Sequence, residues 1–267
     1  LTIISPLAWG LGYFGMPQVL VRFLGIRSAE EVRQSRIIAV VWVVISMVCA
    51  LCIGFIGRAM LPTYFGTNAA AENIFIVIAQ MILPAFMCGV VVSGILAASM
   101  SSASSYLLIT GSSVAENIFR GIIKRDATDR QVMIVSRITL AVVMIIGIII
   151  ALDENSVIFR VVSYAWAGLG ASFGPLVLCS LYWRRTNLPG ALAGMLGGAI
   201  TVVVWHNFIK PLGGVFGIYE LLPAFIISLV CIFVVSKLTA EPSQEIYDEF
   251  DHYTEARMDE DVNPAAA

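Results

Sequence analysis

Long apolar runs separated by short polar loops constrain this chain more than any other feature. Charged residues make up only 13% of the sequence and apolar residues 59%, whereas a soluble domain has about 25% and about 45–50%. So few charges cannot cover a soluble surface, while a bilayer core accepts about 20 apolar residues per spanning helix. We therefore expect an all-α membrane protein with about seven transmembrane helices. The runs lie at about residues 2–24, 37–60, 83–115, 132–152, 157–182, 190–208 and 217–237.

Two segments lie outside these runs. Residues 70–82 are apolar but too short to span a bilayer comfortably, so they predict a helix on the membrane surface. Residues 239–267 are acidic and poor in apolar residues, and such a segment cannot bury a core. We therefore expect a transmembrane domain over residues 1–238, followed by a tail over 239–267 that is disordered or forms a short surface helix.

The distribution of Lys and Arg predicts the orientation in the membrane. Cytoplasmic loops carry an excess of positive charge. Placing the loop after the first run in the cytoplasm leaves only Arg58, Arg160 and Lys210, of the 16 Lys and Arg, on the other side. The chain then starts outside and its tail lies in the cytoplasm. The net charge of −2 and the lack of a basic stripe give no indication of nucleic-acid binding.

The first run contains WGLGYFGMP, which ends at Pro17. Three glycines and a proline leave backbone groups unpaired, and in hydrocarbon this is tolerated only where the backbone lines a cavity or meets protein. The pattern therefore predicts a helix that is broken inside the membrane. Trp9 and Tyr13 are one turn apart and share a face, so they could stack on a ligand. The alternative is an aromatic belt at the membrane interface.

The third run is rich in hydroxyl groups, with eight serines and one threonine between Ser93 and Ser113. Hydroxyls in a bilayer bond back to a carbonyl one turn earlier, bridge helices, or coordinate a hard cation. Ala98, Ser101 and Ser102 are spaced i, i+3 and i+4 and share one face. One carbonyl and two hydroxyls there could bind Na⁺, and a helix-packing stripe is the alternative. Ionisable residues are nearly absent from the runs, which disfavours a proton relay.

Two sequence motifs known from enzymes also occur in this chain, and its many small residues explain both. The glycines of the first run spell G-x-G-x-x-G, and Gly170 to Gly174 spell G-x-S-x-G. The first motif needs a βαβ unit and the second a strand-to-helix turn with a His and an acid, neither of which is expected here. We therefore expect no enzyme. Small residues that allow close helix contact explain these runs better, as do Gly190, Gly194 and Gly198 in the sixth run.

Four stretches in the same order carry a family resemblance. They are AWGLGYFGMPQVLVRF, SGILAASMSSASS, SYAWAGLGASFGPLVL and WRRTNLPGALAGMLGG. With them the chain resembles the sodium/solute symporter family, and within it the bacterial members that carry proline, over nearly its whole length except the tail. The resemblance implies the second half of a five-plus-five inverted-repeat fold like that of the leucine transporter. The second repeat would span about 1–182 and two extra C-terminal helices about 190–238.

The resemblance also implies a function and its residues. It assigns Na⁺, the coupling ion, to Ala98, Ser101 and Ser102, and the substrate site in part to Trp9, Tyr13 and Pro17. The implied activity is sodium-coupled uptake of a small solute, most strongly L-proline, by alternating access in the bacterial cytoplasmic (inner) membrane. The first repeat, with the remaining sodium ligands, lies outside this sequence. We therefore expect the missing N-terminal half to be a required partner, without which the chain binds neither ligand tightly.

Three alternatives remain open at this point. The solute could be pantothenate, a sugar or a short carboxylate instead of proline. A transporter-like membrane sensor would need a kinase domain after the last helix, and the tail is too short and too acidic for one. A channel would need a continuous polar face through several helices, and only the third run has such a face.

Overall fold

All the regular structure is helical in the computed structural model, which describes residues 3–62, 71–152 and 158–252. The helices are α1 (Ile4–Ala8), α2 (Pro17–Leu24), α3 (Ala29–Met60), α4 (Ile74–Ile82), α5 (Ala85–Ser112), α6 (Asp129–Ala151), α7 (Ile158–Tyr182), α8 (Leu188–Val204), α9 (Leu221–Leu238) and α10 (residues 244–252). A 3-10 segment, Trp9–Gly15, joins α1 to α2, and π-helical turns extend α5 over Ser113–Ile123 and α8 over Trp205–Ile209. The described residues form two compact units, 3–22 with 159–252, and those between 23 and 158.

Six helical stretches among the described residues are long and apolar enough to cross a membrane. They are Glu30–Met60, Ala85–Ile123, Asp129–Ala151, Ile158–Tyr182, Leu188–Leu212 and Leu221–Leu238. The prediction of an all-helical membrane protein is confirmed. The count differs from the expected seven because the first run is divided into short pieces, none of which is long enough alone. The inverted-repeat arrangement stays a prediction.

Local sequence signals fix where several of these helices begin. The Oγ of Ser28 accepts a hydrogen bond from the Glu31 N–H at 3.3 Å, at the start of α3. The side chain of Gln131 accepts one from the Thr128 N–H at 3.2 Å, at the start of α6. The first N–H groups of a helix have no partner within it, so side chains of these types stabilise helix starts by about 1 kcal/mol.

Helices α8 and α9 pack closely along a glycine stripe. A Cβ on Gly190 would meet the side chain of Ser236, and a Cβ on Gly194 would meet the side chain of Ile232. The hydroxyl of Ser228 donates a hydrogen bond to the Gly194 carbonyl at 2.8 Å. Small residues that let two backbones approach are a general feature of contacts between membrane helices. The prediction that these glycines mark close helix contact is confirmed.

The next glycine of the stripe faces α7. A Cβ on Gly198 would meet the backbone carbonyl of Ala171. Pro175 lies four residues after Ala171 and inside α7, and proline has no N–H to donate to that carbonyl. Gly198 of α8 therefore lies against the Ala171 carbonyl, which lacks its helical hydrogen bond. Through this contact and the glycine stripe, α7, α8 and α9 form one packed group.

In the other unit, a single arginine ties the end of α5 to the start of α6. The guanidinium of Arg120 lies 3.3 Å from the Glu116 carboxylate and 2.8 Å from the Asp129 carboxylate. Deeper in the same pair of helices, a Cβ on Gly111 would lie 2.9 Å from the Oγ of Ser136. The two helices are thus held by a small-residue contact inside the apolar span and by ion pairs at its end.

The first part of the tail forms a short helix, one of the two forms expected for it. Residues 244–252 form α10, where Asp251 pairs with Arg184 at 2.5 Å and the Tyr247 ring lies 4.5 Å from the Arg184 guanidinium. Glu241 pairs with Arg185 at 2.7 Å. Two adjacent arginines after α7 therefore give the acidic tail oppositely charged partners. The rest of the tail, 253–267, lies outside the described residues.

Candidate functional site

The first apolar run is broken where the sequence predicted a break. Helix α1 ends at Ala8, the 3-10 segment ends at Gly15, and Met16 is extended, with φ −82° and ψ 116°. Pro17 then begins α2, a position at which its missing N–H costs nothing because no helical partner exists there. The side chain of Met16 is only 2% exposed. The change in backbone direction is therefore fixed by packing inside the protein.

Glycines let the broken segment lie directly on the backbone of α7. A Cβ on Gly15 would lie 2.6 Å from the amide nitrogen of Gly174 and 2.7 Å from the carbonyl oxygen of Leu169. A Cβ on Gly170 would lie 2.7 Å from the Cα of Gly12. These distances leave no room for a side chain on either partner, so the break and α7 form one close contact.

Aromatic rings surround the first part of the break. Trp9 is half-buried and stacks on Phe159 and Trp166, with ring centroids 5.3 Å apart in both pairs, and on Tyr219 at 5.9 Å. Tyr13 is 52% exposed and meets the Trp166 ring edge-on, at 4.9 Å and an interplanar angle of 81°. The two aromatic residues assigned to the substrate site are therefore brought together on a third ring, Trp166. Pro17, the other residue so assigned, is half-buried at the start of α2.

Trp166 also makes a hydrogen bond to the broken segment. Its indole N–H donates to the backbone carbonyl of Trp9 at 3.0 Å. A Cβ on Gly12 would collide with the same indole, so Gly12 provides the space that the ring occupies. The sequence pattern assigned no role to Trp166, because a contact across 157 residues cannot be read from spacing.

Tyr219 connects the aromatic cluster to the neighbouring elements. Its hydroxyl donates to the Ser163 carbonyl at 2.7 Å, and its backbone N–H donates to the Oγ of Ser5 at 3.1 Å. Burial, and then the nearby charge of Glu220, raise the pKa of Tyr219, so the hydroxyl stays a donor throughout the physiological range. Tyr219 thereby holds α1 and α7 against the start of α9.

Glu220 is a buried carboxylate next to this cluster, with 1% of its surface exposed. One oxygen accepts a hydrogen bond from the Lys210 Nζ at 2.6 Å, and the other lies 2.9 Å from the Nδ1 of His206. Burial raises the pKa of Glu220, but the hydrogen bonds from Lys210, from its own backbone and from His206 together lower it below its ordinary value. The pattern analysis missed this cluster. A usable signal was present, since Glu220 is the only acidic residue between positions 155 and 240.

The three residues assigned to Na⁺ lie on one exposed face of α5. Ala98, Ser101 and Ser102 are all exposed. Within the described part of the chain the hydroxyls of Ser101 and Ser102 make no hydrogen bond, and those of Ser99 and Ser113 share this property. The other hydroxyls of the run bond back along the helix, namely Ser93 to Gly89, Ser104 to Met100, Ser105 to Ser101, Thr110 to Tyr106 and Ser112 to Ile109. The predicted ligand hydroxyls are thus two of the four in this run that make no hydrogen bond among the described residues.

The chemistry of this face limits which ion it suits. Among the described residues no group of three or more His, Cys, Asp and Glu side chains could hold a metal, which leaves no candidate for a zinc-type site. Neutral hydroxyl and carbonyl oxygens are ligands for hard cations. Ala98, Ser101 and Ser102 belong to the unit between residues 23 and 158, and Trp9 and Tyr13 to the other unit.

The sequence model of the sodium:solute symporter family matches residues 1–198. The chain belongs to this family. As a family member it is 42% identical over 253 residues to the high-affinity proline transporter PutP of Bacillus subtilis, with 95% of this chain and 53% of the relative covered. It is 39% identical to the osmoregulated proline transporter OpuE of the same organism (94% and 50% covered) and 41% identical to the sodium/proline symporter of Staphylococcus aureus (90% and 48% covered). No solved structure matches the chain significantly.

The family assignment confirms what the four sequence stretches indicated. This member of the sodium:solute symporter family is a multi-pass membrane protein of a class that couples transport to sodium, and its relatives are named as transporters and not as enzymes. The chain spans about half the length of the curated relatives it matches.

Proposed function

We propose that the protein carrying this chain takes up L-proline together with Na⁺ by alternating access. The observation that carries the proposal is an identity of 39–42%, over 90% or more of the chain, to three proteins named as proline transporters or symporters. The same observation favours proline over pantothenate, a sugar or a short carboxylate. We place the protein in the bacterial cytoplasmic membrane with the start of this chain outside and the tail inside, because that orientation satisfies the distribution of Lys and Arg.

For the ion, the proposed ligands are the Ala98 carbonyl and the hydroxyls of Ser101 and Ser102. Their shared face supports this assignment, as does the finding that neither hydroxyl makes a hydrogen bond to any described residue. Three neutral oxygens are fewer than a hard cation normally takes. The remaining ligands would come from the part of the family's length that this chain does not span, the first repeat of the proposed inverted-repeat fold.

For the substrate, the proposed contacts are Trp9, Tyr13 and Pro17. The exposed ring of Tyr13 offers a flat apolar face of a size that suits a pyrrolidine ring. Trp9 is stacked on three neighbouring rings but is only half-buried, so part of its surface stays accessible. The Tyr13 hydroxyl is a donor suited to a carboxylate. The adjacent break supports the assignment, because irregular backbone inside a membrane occurs where it lines a cavity or meets protein.

Coupling between the two ligands then follows from thermodynamics. Na⁺ shifts the balance between outward-open and inward-open states only by its difference in affinity for them. If Na⁺ improves proline binding, proline must improve Na⁺ binding by the same factor.

Uptake by cells tests the proposed function. The full reading frame that contains this chain is expressed in a bacterium that lacks its own proline uptake, and radiolabelled L-proline is supplied with Na⁺ or with choline in its place. We expect uptake that requires Na⁺ and that unlabelled proline abolishes, whereas excess pantothenate, glucose or acetate leaves it unchanged. Uptake that is equal in choline would contradict sodium coupling, and competition by another solute instead of proline would contradict the substrate.

Serine variants of α5 test the proposed sodium ligands. Ser101→Ala and Ser102→Ala should each raise the Na⁺ concentration for half-maximal uptake about tenfold, which corresponds to about 1.4 kcal/mol, because each removes one oxygen ligand. Ser104→Ala is the matched control on the same helix, since its hydroxyl already donates to the Met100 carbonyl at 2.8 Å. An unchanged Na⁺ requirement in both ligand variants, or an equal shift in the control, would remove these residues from the site.

A further inference from the structure

The two aromatic residues proposed for substrate binding are oriented by one side chain of α7. The Trp166 ring is 17° from parallel to the Trp9 ring and 81° from parallel to the Tyr13 ring. The rings of Trp9 and Tyr13 are therefore held roughly at right angles to each other. Aromatic pairs favour offset-stacked and edge-to-face arrangements, each worth about 0.5–1.5 kcal/mol, and Trp166 makes one of each.

Trp166 also fixes the backbone that carries these rings. Its indole N–H donates to the Trp9 carbonyl at 3.0 Å, inside the 3-10 segment. The lack of a Cβ on Gly12 gives the indole its place over this segment. A 3-10 segment has poorer hydrogen-bond geometry than an α-helix, so a bond from a rigid neighbouring helix adds order where the segment itself supplies little.

Building on the proposed function, we propose that Trp166 is a positioning residue for substrate binding. It acts through Trp9 and Tyr13 by holding their rings roughly at right angles to each other. The indole N–H fixes the position of the Trp9 backbone on α7, and the ring contacts fix the angle between the two side chains. The role concerns the substrate rings alone, so at saturating proline the Na⁺ requirement should change much less than the KM for proline.

The test replaces Trp166 by Phe, which keeps an aromatic ring and removes the N–H donor. We expect the KM for proline uptake to rise about tenfold, while the maximal rate and the Na⁺ concentration for half-maximal uptake change less than twofold. The matched control is Trp205→Phe. It removes a comparable bond, from the Trp205 indole N–H to the Phe216 carbonyl at 3.2 Å, and should leave all three quantities unchanged.

A second variant examines the same contact with the tryptophan in place. Gly12→Ala pushes the indole away from the broken segment and should raise the KM for proline as Trp166→Phe does. Gly10→Ala is its control, because a Cβ there meets nothing within 4 Å. A purely structural role predicts that KM, maximal rate, Na⁺ requirement and the amount of protein in the membrane all worsen together.

Each outcome decides the proposal. An unchanged KM in Trp166→Phe and Gly12→Ala, or absence of both variants from the membrane while both controls are present, would overturn the positioning role. The wild-type protein is measured first. If it takes up no proline with Na⁺, the proposed function itself fails. A wild type that transports proline, with variants that behave like it, leaves the function intact and removes only the role of Trp166.

Discussion

Replacing Gly15 with alanine should reduce proline uptake about tenfold or more and lower the amount of protein in the membrane. The added Cβ would lie 2.6 Å from the Gly174 nitrogen and 2.7 Å from the Leu169 oxygen. Both are backbone atoms of α7, so neither can turn away as a flexible side chain could. Overpacking of a close contact costs about 1–3 kcal/mol. Here the overpacking would strain the backbone at the end of the 3-10 segment, next to Met16. Uptake per molecule, with the protein quantified by immunoblot of the membranes, measures both effects.

Gly10→Ala is the matched control for this prediction. It lies in the same 3-10 segment and loses the same conformational freedom, but its Cβ meets nothing within 4 Å. We expect uptake within twofold of the wild type. Normal uptake by Gly15→Ala, or an equal loss in both variants, would show that the close contact with α7 is not what the segment requires.

The second large effect concerns the buried carboxylate of Glu220. Lys210→Met should lower the free energy of unfolding by about 3 kcal/mol at pH 7, because it leaves a charge that is 1% exposed with His206 as its one remaining side-chain partner among the described residues. Removing one member of a buried ion pair typically costs about 3–5 kcal/mol. Unfolding in mixed detergent micelles, followed by tryptophan fluorescence, measures the change.

The pKa of Glu220 predicts how the stability loss in Lys210→Met changes with pH. In the wild type the folded-state pKa of Glu220 is below its ordinary value, so its stabilising effect is present above the unfolded-state pKa and is lost as pH falls through the folded-state pKa. Without Lys210, burial acts with less opposition and raises the pKa. The carboxyl then takes up a proton more readily, and the deficit of Lys210→Met should shrink as pH is lowered below 7.

A double variant and an exposed control test the cause. Glu220→Gln combined with Lys210→Met removes both charges and should recover part of the stability lost in Lys210→Met alone. Glu241→Gln breaks the pair with Arg185, in which the acid is 60% exposed. Exposed pairs contribute about 0–1 kcal/mol, so it should differ little from the wild type. If Lys210→Met lowered the free energy of unfolding no more than Glu241→Gln does, the buried charge of Glu220 would not be destabilising.

Features that depend on neighbouring residues could be predicted from the sequence. The break at Met16 follows from three glycines and Pro17 within nine residues, because these residues act on their own backbone. The close contact of α8 with α9 follows from glycines spaced four apart, which must lie on one face of a helix. The long helices follow from the length of the apolar runs. For the tail the sequence left two forms open, disorder or a short helix, because the ion pair of α10 joins Asp251 to Arg184 across 67 residues.

In the candidate site, too, features set by neighbouring residues could be predicted and those set by distant contacts could not. The shared face of Trp9 and Tyr13 follows from a spacing of one helical turn. Their contact with Trp166 comes from the packing of α7 and has no local signal. In α5 the spacing picks out Ser101 and Ser102, but it cannot say which hydroxyls bond back to a carbonyl, because that depends on the rotamer of each side chain.

The continuous helix from Ala85 to Ile123 is longer than a membrane needs. Its 39 residues extend about 58 Å at the α-helical rise, whereas the hydrocarbon layer is about 30 Å thick. Even a tilt of about 40°, the upper end of the range for transmembrane helices, leaves about 19 Å of its length outside that layer. Because the charged residues Glu116 and Arg120 lie in its final turns, we expect those turns to extend into the aqueous phase. A spin label there would report rotation of the helix during the transport cycle without disturbing the apolar span.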